Sequence, residues 1–378
     1  MLRGLRCVRC GTSAEPRHDT LGCSRCRAQG VPSALVADLD LTGVDGPALW
    51  DEWSRRRPGL WSHRELLPVE AGKAVTLAEG GTPLFEAAGV LVKDERRNPT
   101  GSFKDRFFST AVSWARQHGA ATVAVASSGN AGVSAAAYAA AAGLESVVVT
   151  TEEMDATARG LVRRFGGELR FGSDAEQRWA ILRENSDEWA VLTNTSAVPV
   201  SSLWVGIEGY KTIAYEIVRD LGDVPEVVAA PVSRGDGFMG MWLGFQELLA
   251  LGVVSRTPRM VAVERYPSLT RALREDADLP PVVDDPGPVE ATSISNPQAT
   301  AMSLRVIRES GGTAVACTDA DLHRAAERFG RAGVGVELSS AAGLVAADAL
   351  RRDSRLSPAD RVVAVVTAHA ANQPGTLS

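Results

Sequence analysis

The sequence has little that would draw it to a polyanion and no apolar run long enough for a bilayer. Acidic residues outnumber basic ones, 46 against 40, for a net charge of −6. The basic residues form no extended stripe, so the electrostatic footprint of a nucleic-acid partner is missing. The longest apolar runs, such as Ala135 to Leu144, fall short of the roughly 18 to 20 residues that a membrane span requires. Arg3 and Arg6 lead into cysteines and not into the apolar stretch of a secretory signal. The expectation is a cytoplasmic protein with neither a nucleic-acid nor a membrane partner. No repeat of solenoid period is visible. What remains is ordinary: 45 % apolar and 23 % charged residues, the balance of a globular chain. Its 378 residues exceed the size at which single cores stop growing, about 250 to 300, so two lobes are expected.

Cysteine is scarce as well, five in all, yet four of them fall early as Cys7-Val-Arg-Cys10 and Cys23-Ser-Arg-Cys26. Two-residue gaps let paired thiolates grip one tetrahedral ion, and two such knuckles complete a closed, structural Zn2+ site. Gly11 and Gly22 sit beside the knuckles, where tight turns need a residue free of side-chain clash. The alternative is a relict ribbon with reduced thiols, since disulfides are disfavoured in a reducing compartment. His18 lies between the pairs as a possible substitute ligand, although four thiolates suffice. Cys317 closes the apolar run from Thr313 and reads as filler in a buried strand.

After a polar connector around Gly43 to Gly46 come Trp50, Trp53 and Trp61, which read as packing anchors. From Val92 onward, Val- and Ala-rich runs alternate with helical patterns, the mark of an α/β protein with largely parallel sheets. Strands are expected at 122–126, 146–150, 226–230, 260–264 and 362–366, and helices at 131–142, 207–221 and 238–251. Two strand-to-helix junctions are rich in small residues: Ser127-Ser128-Gly129-Asn130 and Ser233-Arg234-Gly235-Asp236-Gly237. Each offers amide groups to an anion, although such turns are as often merely structural.

The string Asn98-Pro99-Thr100-Gly101-Ser102-Phe103-Lys104-Asp105-Arg106 follows Lys93-Asp94-Glu95-Arg96-Arg97. A lysine amine can form an imine with an aldehyde cofactor when its surroundings lower its pKa and fix its position. Standing alone, Lys104 would read as a solvated residue at a helix start. The string resembles the N-P-T-G-S-F-K-D-R signature of threonine synthases and their relatives in the second fold type of pyridoxal-phosphate enzymes. Further stretches are similar to that family in the same order: Glu79 to Leu84 to its substrate loop, Ser127 to Asn130 to its S-x-G-N loop, Glu208 to Thr212 to E-G-x-K-T, Glu337 to Ala342 to a glutamate-led segment near the cofactor, and Thr367 to His369 to a late T-G-H turn.

That resemblance implies a tryptophan synthase β-like α/β fold with two open twisted sheet lobes behind a zinc-ribbon-like segment. Residues 1–30 would form the four-cysteine segment, with Cys7, Cys10, Cys23 and Cys26 as ligands. Residues 31–108 and 200–378 would form the large cofactor-binding domain, and 109–199 a smaller α/β domain. It also implies pyridoxal 5'-phosphate held as an imine on Lys104, which then serves as general acid and base. Phe103 would lie against the ring, Asn130 would bond the phenolic oxygen, and Ser233, Arg234, Gly235, Asp236 and Gly237 would hold the phosphate. Thr367 would face the pyridine nitrogen, where a hydroxyl cannot keep that nitrogen protonated as a carboxylate would. Thr82, Ser127, Ser128 and Gly129 would bind the carboxylate of a small amino-acid substrate. A homodimer is the implied assembly.

The pattern departs from the family at two cations. Where threonine synthases carry N-P-x-R before E-G-x-K-T, this chain reads Leu203-Trp204-Val205-Gly206, so the arginine of a phosphate clamp is replaced by glycine. Trp204 would add apolar bulk at that end of the pocket. Ala368-His369-Ala370-Ala371-Asn372 likewise replaces G-H-G-L-K. The expectation is elimination or replacement at the β or γ carbon of a substrate other than phosphohomoserine. Threonine synthase proper, with Arg96, Arg97, Arg159 or Arg234 compensating, is the alternative, followed by a serine/threonine dehydratase and then by a noncatalytic ligand-binding homologue. Of the histidines, His63, His118 and His323 read as surface residues, and His369 as either a substrate-orienting or a structural group.

Overall fold

Short Val- and Ala-rich runs bury both faces of a strand only where helices cover them, and alternation of the two builds parallel sheets. In the computed structural model, which describes residues 2–284 and 289–376, the chain divides into two units built on this rule. The first takes in Met1–Gly43, Arg55–Gly80 and Asn98–Thr212; the second takes in Val44–Ser54, Gly81–Arg97 and Ile213–Ser378.

The first unit holds a four-stranded parallel sheet in the order Glu168–Phe171, Glu145–Thr150, Thr122–Ala126, Trp189–Val191. Helices Asn130–Ala142, Ala156–Arg164 and Ala175–Glu184 form the crossovers. The alanines of the first of these let it sink so deep that Gly132 carries no side chain for a reason: a Cβ there would stand 2.8 Å from Val148 Cγ1. Helix Lys104–Gln117 belongs to this unit too and is buried along most of its length. Ahead of it a three-stranded antiparallel sheet, Ser13–Ala14, Leu2–Cys7 and Leu35–Leu39, carries the early cysteines.

The second unit is built on a six-stranded sheet in the order Thr313–Ala316, Arg259–Glu264, Val227–Pro231, Val362–Val366, Val90–Asp94, Leu84–Ala87. All neighbours are parallel except the last pair, which is antiparallel. Its helices include Asp236–Ala250, Ala301–Glu309, Asp319–Arg331 and Ala342–Arg352. The last lies close on the sheet, because a Cβ on Gly343 would meet Ala364 Cβ at 2.6 Å.

The expected strands agree with these to within one residue at each end. The observed helices begin one to three residues before the expected starts, at Asn130, Trp204 and Asp236, because the loop residues ahead of each already adopt the first turn. No helix among the described residues is long and apolar enough to cross a membrane. Cys317 is buried, as expected of core filler, and Trp53 is buried with its ring 5.1 Å from that of Tyr215. His63 is a correction. It is only 3 % exposed, and its Nδ1 lies 3.1 Å from Ser62 Oγ, because the segment from Leu60 turns inward in a way its polar neighbours conceal.

Candidate active site and metal centre

In the first unit one carboxylate ties together two of the segments that carry candidate residues. Asp105 is fully buried and accepts hydrogen bonds from Thr100 N at 2.7 Å, Thr100 Oγ1 at 2.6 Å and Ser134 Oγ at 2.6 Å. Burial pushes its carboxyl up to about 6, against the pull of these donors. Through Ser134 the same side chain ties the turn Thr100 to Phe103 to the helix that begins at Asn130. Gly101 supplies a φ of +77°, and Ser102 Oγ accepts from Lys104 N at 3.1 Å, so the chain enters its helix at Lys104. Lys104 is half-buried, with Nζ 4.9 Å from the Phe103 ring centroid. The Phe103 ring stands 4.9 Å from that of Tyr210.

The loop after Thr122–Ala126 divides its two serines. Ser127 Oγ accepts from Gly129 N at 3.2 Å and Gly132 N at 3.0 Å, so its hydroxyl shapes the loop and the helix entry. Ser128 is exposed, and Thr150 Oγ1 and Arg178 Nη1 both donate to its Oγ, at 3.3 and 3.2 Å. Glu79, buried ahead of the substrate-like loop, accepts from Ser109 Oγ at 2.7 Å and Tyr138 Oη at 2.6 Å. Burial and this carboxylate push the Tyr138 phenol well above its ordinary value.

In the second unit Gly81 N and Thr82 N donate to Glu216, at 2.8 and 3.2 Å, and Thr82 Oγ1 donates to Glu95 at 2.6 Å. Lys93 Nζ completes this buried cluster, 2.7 Å from Glu216 Oε2 and 2.5 Å from Thr82 O. The Thr82 hydroxyl is thereby engaged within the protein. The turn Ser233 to Gly237 connects strand Val227–Pro231 to helix Asp236–Ala250. Gly235 has a φ of +91°, and a Cβ there would stand 1.8 Å from Ser303 Oγ, so the turn tolerates only glycine. Thr300 Oγ1 and Ser303 Oγ brace it by donating to Arg234 O at 2.6 and 3.2 Å. Thr367 follows strand Val362–Val366 and is 5 % exposed, its Oγ1 lying 2.8 Å from Ser340 Oγ. His369 is exposed and its Nδ1 accepts from Ala371 N at 3.0 Å, a capping role.

These donor sets match the parts of pyridoxal phosphate taken one at a time. An amine beside an aromatic ring suits the aldehyde, a braced glycine turn at a helix start suits the phosphate, and a neutral hydroxyl suits the pyridine nitrogen.

The two departures from the family pattern have physical counterparts. A Cβ on Gly206 would lie 2.2 to 2.4 Å from the Phe107 ring, so that position is closed to an arginine. Trp204 is 1 % exposed, donates from Nε1 to Arg17 O at 2.9 Å, and packs edge-on against Trp114. It is a core anchor within its unit and not a wall presented to a ligand. Arg96 donates to Asp94 and to Gly335 O, and Arg97 pairs with the same aspartate. Arg159 is held by Glu152 and Met154 O. Sequence reasoning missed Arg178, which meets Ser128 from 50 positions away; no local motif marks it.

The thiol groups of Cys7, Cys10, Cys23 and Cys26 lie within 4.8 Å of one another. The Cys7–Cys26 and Cys10–Cys23 sulfur separations are 3.7 and 3.8 Å. Four sulfurs at about 2.3 Å from a tetrahedral Zn2+ stand about 3.8 Å apart, so the set fits that ion. His18 takes no part; its Nε2 lies 2.6 Å from Val191 O.

Comparison with known proteins identifies the family of the chain. Residues 75–368 match the family model described as pyridoxal-phosphate dependent enzyme. The chain is 31 % identical over 389 residues to a threonine synthase of Methanosarcina acetivorans, covering 99 % of this chain and 93 % of that protein. It is also 31 % identical to a threonine synthase of Mycobacterium tuberculosis, over 84 % of this chain and 90 % of that one. Among solved structures, a fungal L-serine ammonia-lyase from Rhizomucor miehei superposes with a TM-score of 0.67 at 23 % identity, over 78 % of this chain and 96 % of that one. A maize serine racemase does so with 0.65 at 19 %, over 78 % and 90 %. With the lysine, the glycine turn and the late threonine all present on an α/β frame, the chain belongs to the pyridoxal-phosphate-dependent enzymes of the second fold type and is a threonine synthase-like member of them.

Proposed function

We propose that this enzyme eliminates or replaces a group at the β or γ carbon of a small amino acid other than phosphohomoserine. The observation that carries the substrate half of this reading is Gly206 under the Phe107 ring, which excludes a guanidinium from the position where the family pattern has its phosphate-binding arginine. Arg96, Arg97 and Arg159 are committed to partners of their own. A second reading, threonine synthase proper, is favoured by the names of the full-length relatives. A serine/threonine dehydratase comes next, in keeping with the serine ammonia-lyase among the structural neighbours.

In this reading the protein is a cytoplasmic homodimer. Bound pyridoxal phosphate supplies an electron sink beside the α carbon of the amino acid. Lys104 anchors it and then carries protons to and from the substrate carbons. Phe103 lies against its ring and Asn130 bonds its phenolic oxygen. Ser233 to Gly237 hold its phosphate with backbone amides at a helix start. Thr367 would face the pyridine nitrogen with a neutral hydroxyl, so that the ring would be a weaker electron sink than one held protonated by a carboxylate. Ser127, Ser128, Gly129 and Thr82 are the residues read as receiving the substrate carboxylate, although the Thr82 hydroxyl donates to Glu95 here.

Phosphohomoserine, phosphoserine, serine, threonine and acetylserine, each offered to the cofactor-loaded protein with product analysis, test the substrate. Turnover of one of the last four, with little threonine from phosphohomoserine, is the expected result; rapid threonine formation from phosphohomoserine overturns it.

Cys7, Cys10, Cys23 and Cys26 hold a structural zinc in this reading. Metal analysis should find close to one equivalent per chain, and a Cys7→Ser variant should lose it. Because such ions contribute folding energy directly, the same change or a chelator should lower the melting temperature by several degrees.

A further inference from the structure

Arg178 is unusual among the arginines of this chain. It sits on helix Ala175–Glu184 at the carboxyl edge of the four-stranded sheet, the edge at which α/β sheets bind ligands. Among the described residues its side chain makes one hydrogen bond, from Nη1 to Ser128 Oγ, at 3.2 Å. Among the described residues its buried Nε has no hydrogen-bond partner, and no carboxylate lies within ion-pair distance of it. Asp174, at the start of the same helix, is occupied in capping Gln177 N at 2.8 Å. Burial lowers the Arg178 pKa, and the more distant charges of Asp174 and Glu153 oppose it without reversing it. Its stem lies against Gly172, where a Cβ would meet Arg178 Cγ and N at 3.0 Å, so the backbone there is shaped to let this side chain pass.

Ser128 defines what the cation is for. Its Oγ receives a hydrogen bond from Arg178 and another from Thr150 Oγ1, which is buried and fixed in its strand. With both acceptor positions filled, the hydroxyl proton is left for an acceptor outside the protein. A carboxylate is such an acceptor, and it also satisfies the remaining guanidinium N–H groups.

We propose that Arg178 is a substrate-binding residue, which holds Ser128 as a pure donor and supplies the positive charge that the α-carboxylate of the amino acid meets at the Ser127 to Asn130 loop. This rests on the cofactor reading of the site. The cation lost at position 206 and this one then serve different ends of the substrate: the first served the leaving group, the second serves the carboxylate common to every amino acid.

The test uses the cofactor-loaded protein and two matched pairs, serine with ethanolamine and phosphoserine with phosphoethanolamine, the second of each pair lacking only the carboxylate. Dissociation constants are read from the change in the visible spectrum. Arg178→Gln should weaken serine or phosphoserine by about 10- to 100-fold, as expected for a charge-assisted hydrogen bond. It should leave the carboxylate-free partner unchanged, raise KM more than it lowers kcat, and melt like the wild type. Arg178→Lys should restore part of the loss. Equal affinities in wild type and Arg178→Gln, an equal loss for both members of a pair, or no preference for the carboxylate in the wild type overturns the inference. The cofactor reading fails separately, if the visible band is absent from the wild type or persists in Lys104→Ala.

Discussion

Lys104→Ala is expected to abolish the visible absorbance of the cofactor-loaded protein and to cut turnover by about 10³-fold or more, as removal of a covalent anchor and proton carrier does. The basis is positional. The turn Thr100 to Phe103 is pinned by Asp105, which is itself bonded to Ser134 on the helix that starts at Asn130. Truncation at Lys104 leaves all of these bonds in place, so the variant should melt as the cofactor-free wild type does. Loss of the band with unchanged melting identifies the anchor; a surviving band assigns it to another lysine. The two lysines that are fully buried, Lys93 and Lys211, are already bonded to Glu216 and Glu208 respectively, which makes either a poor anchor.

Lys93→Met should produce the largest loss of stability. Lys93 Nζ lies 2.7 Å from Glu216, and both side chains are inaccessible to solvent. Removing one partner leaves a buried charge uncompensated, a cost of about 3 to 5 kcal/mol against total stabilities of about 5 to 15. The damage should spread to the turn at Gly81 and Thr82, whose amides depend on the same carboxylate. Adding Glu216→Gln removes the stranded charge while keeping an acceptor for those amides. The double variant should therefore regain much of the loss in a denaturant titration. A double variant no better than the single one would mean that Lys93 stabilises by packing and not by pairing.

The central parallel strands were legible because they are written in local periodicity. Runs such as Val362 to Val366 and Thr122 to Ala126 are apolar on both faces, short, and followed by turn residues, so their type and limits follow from the rule that a covered parallel strand has no polar face. The four-cysteine cluster was equally plain, since two-residue gaps fix the geometry of each knuckle before any tertiary contact forms. His63 shows where this reading stops. Its neighbours are polar, yet a turn at Gly59 and Leu60 carries it inside, and nothing within a few residues records that.

The sequence by itself determined the lysine string, the glycine turn, the paired cysteines and the limits of five parallel strands, because each depends on neighbours within a few positions. Only the tertiary structure decided that Phe107 closes the space over Gly206, that Lys93 answers a glutamate 123 positions away, and that Arg178 reaches Ser128 across 50. Such facts depend on which distant surfaces are pressed together when a core excludes water. That choice is made by the whole chain at once, and it leaves no spacing or composition to be read in any one stretch.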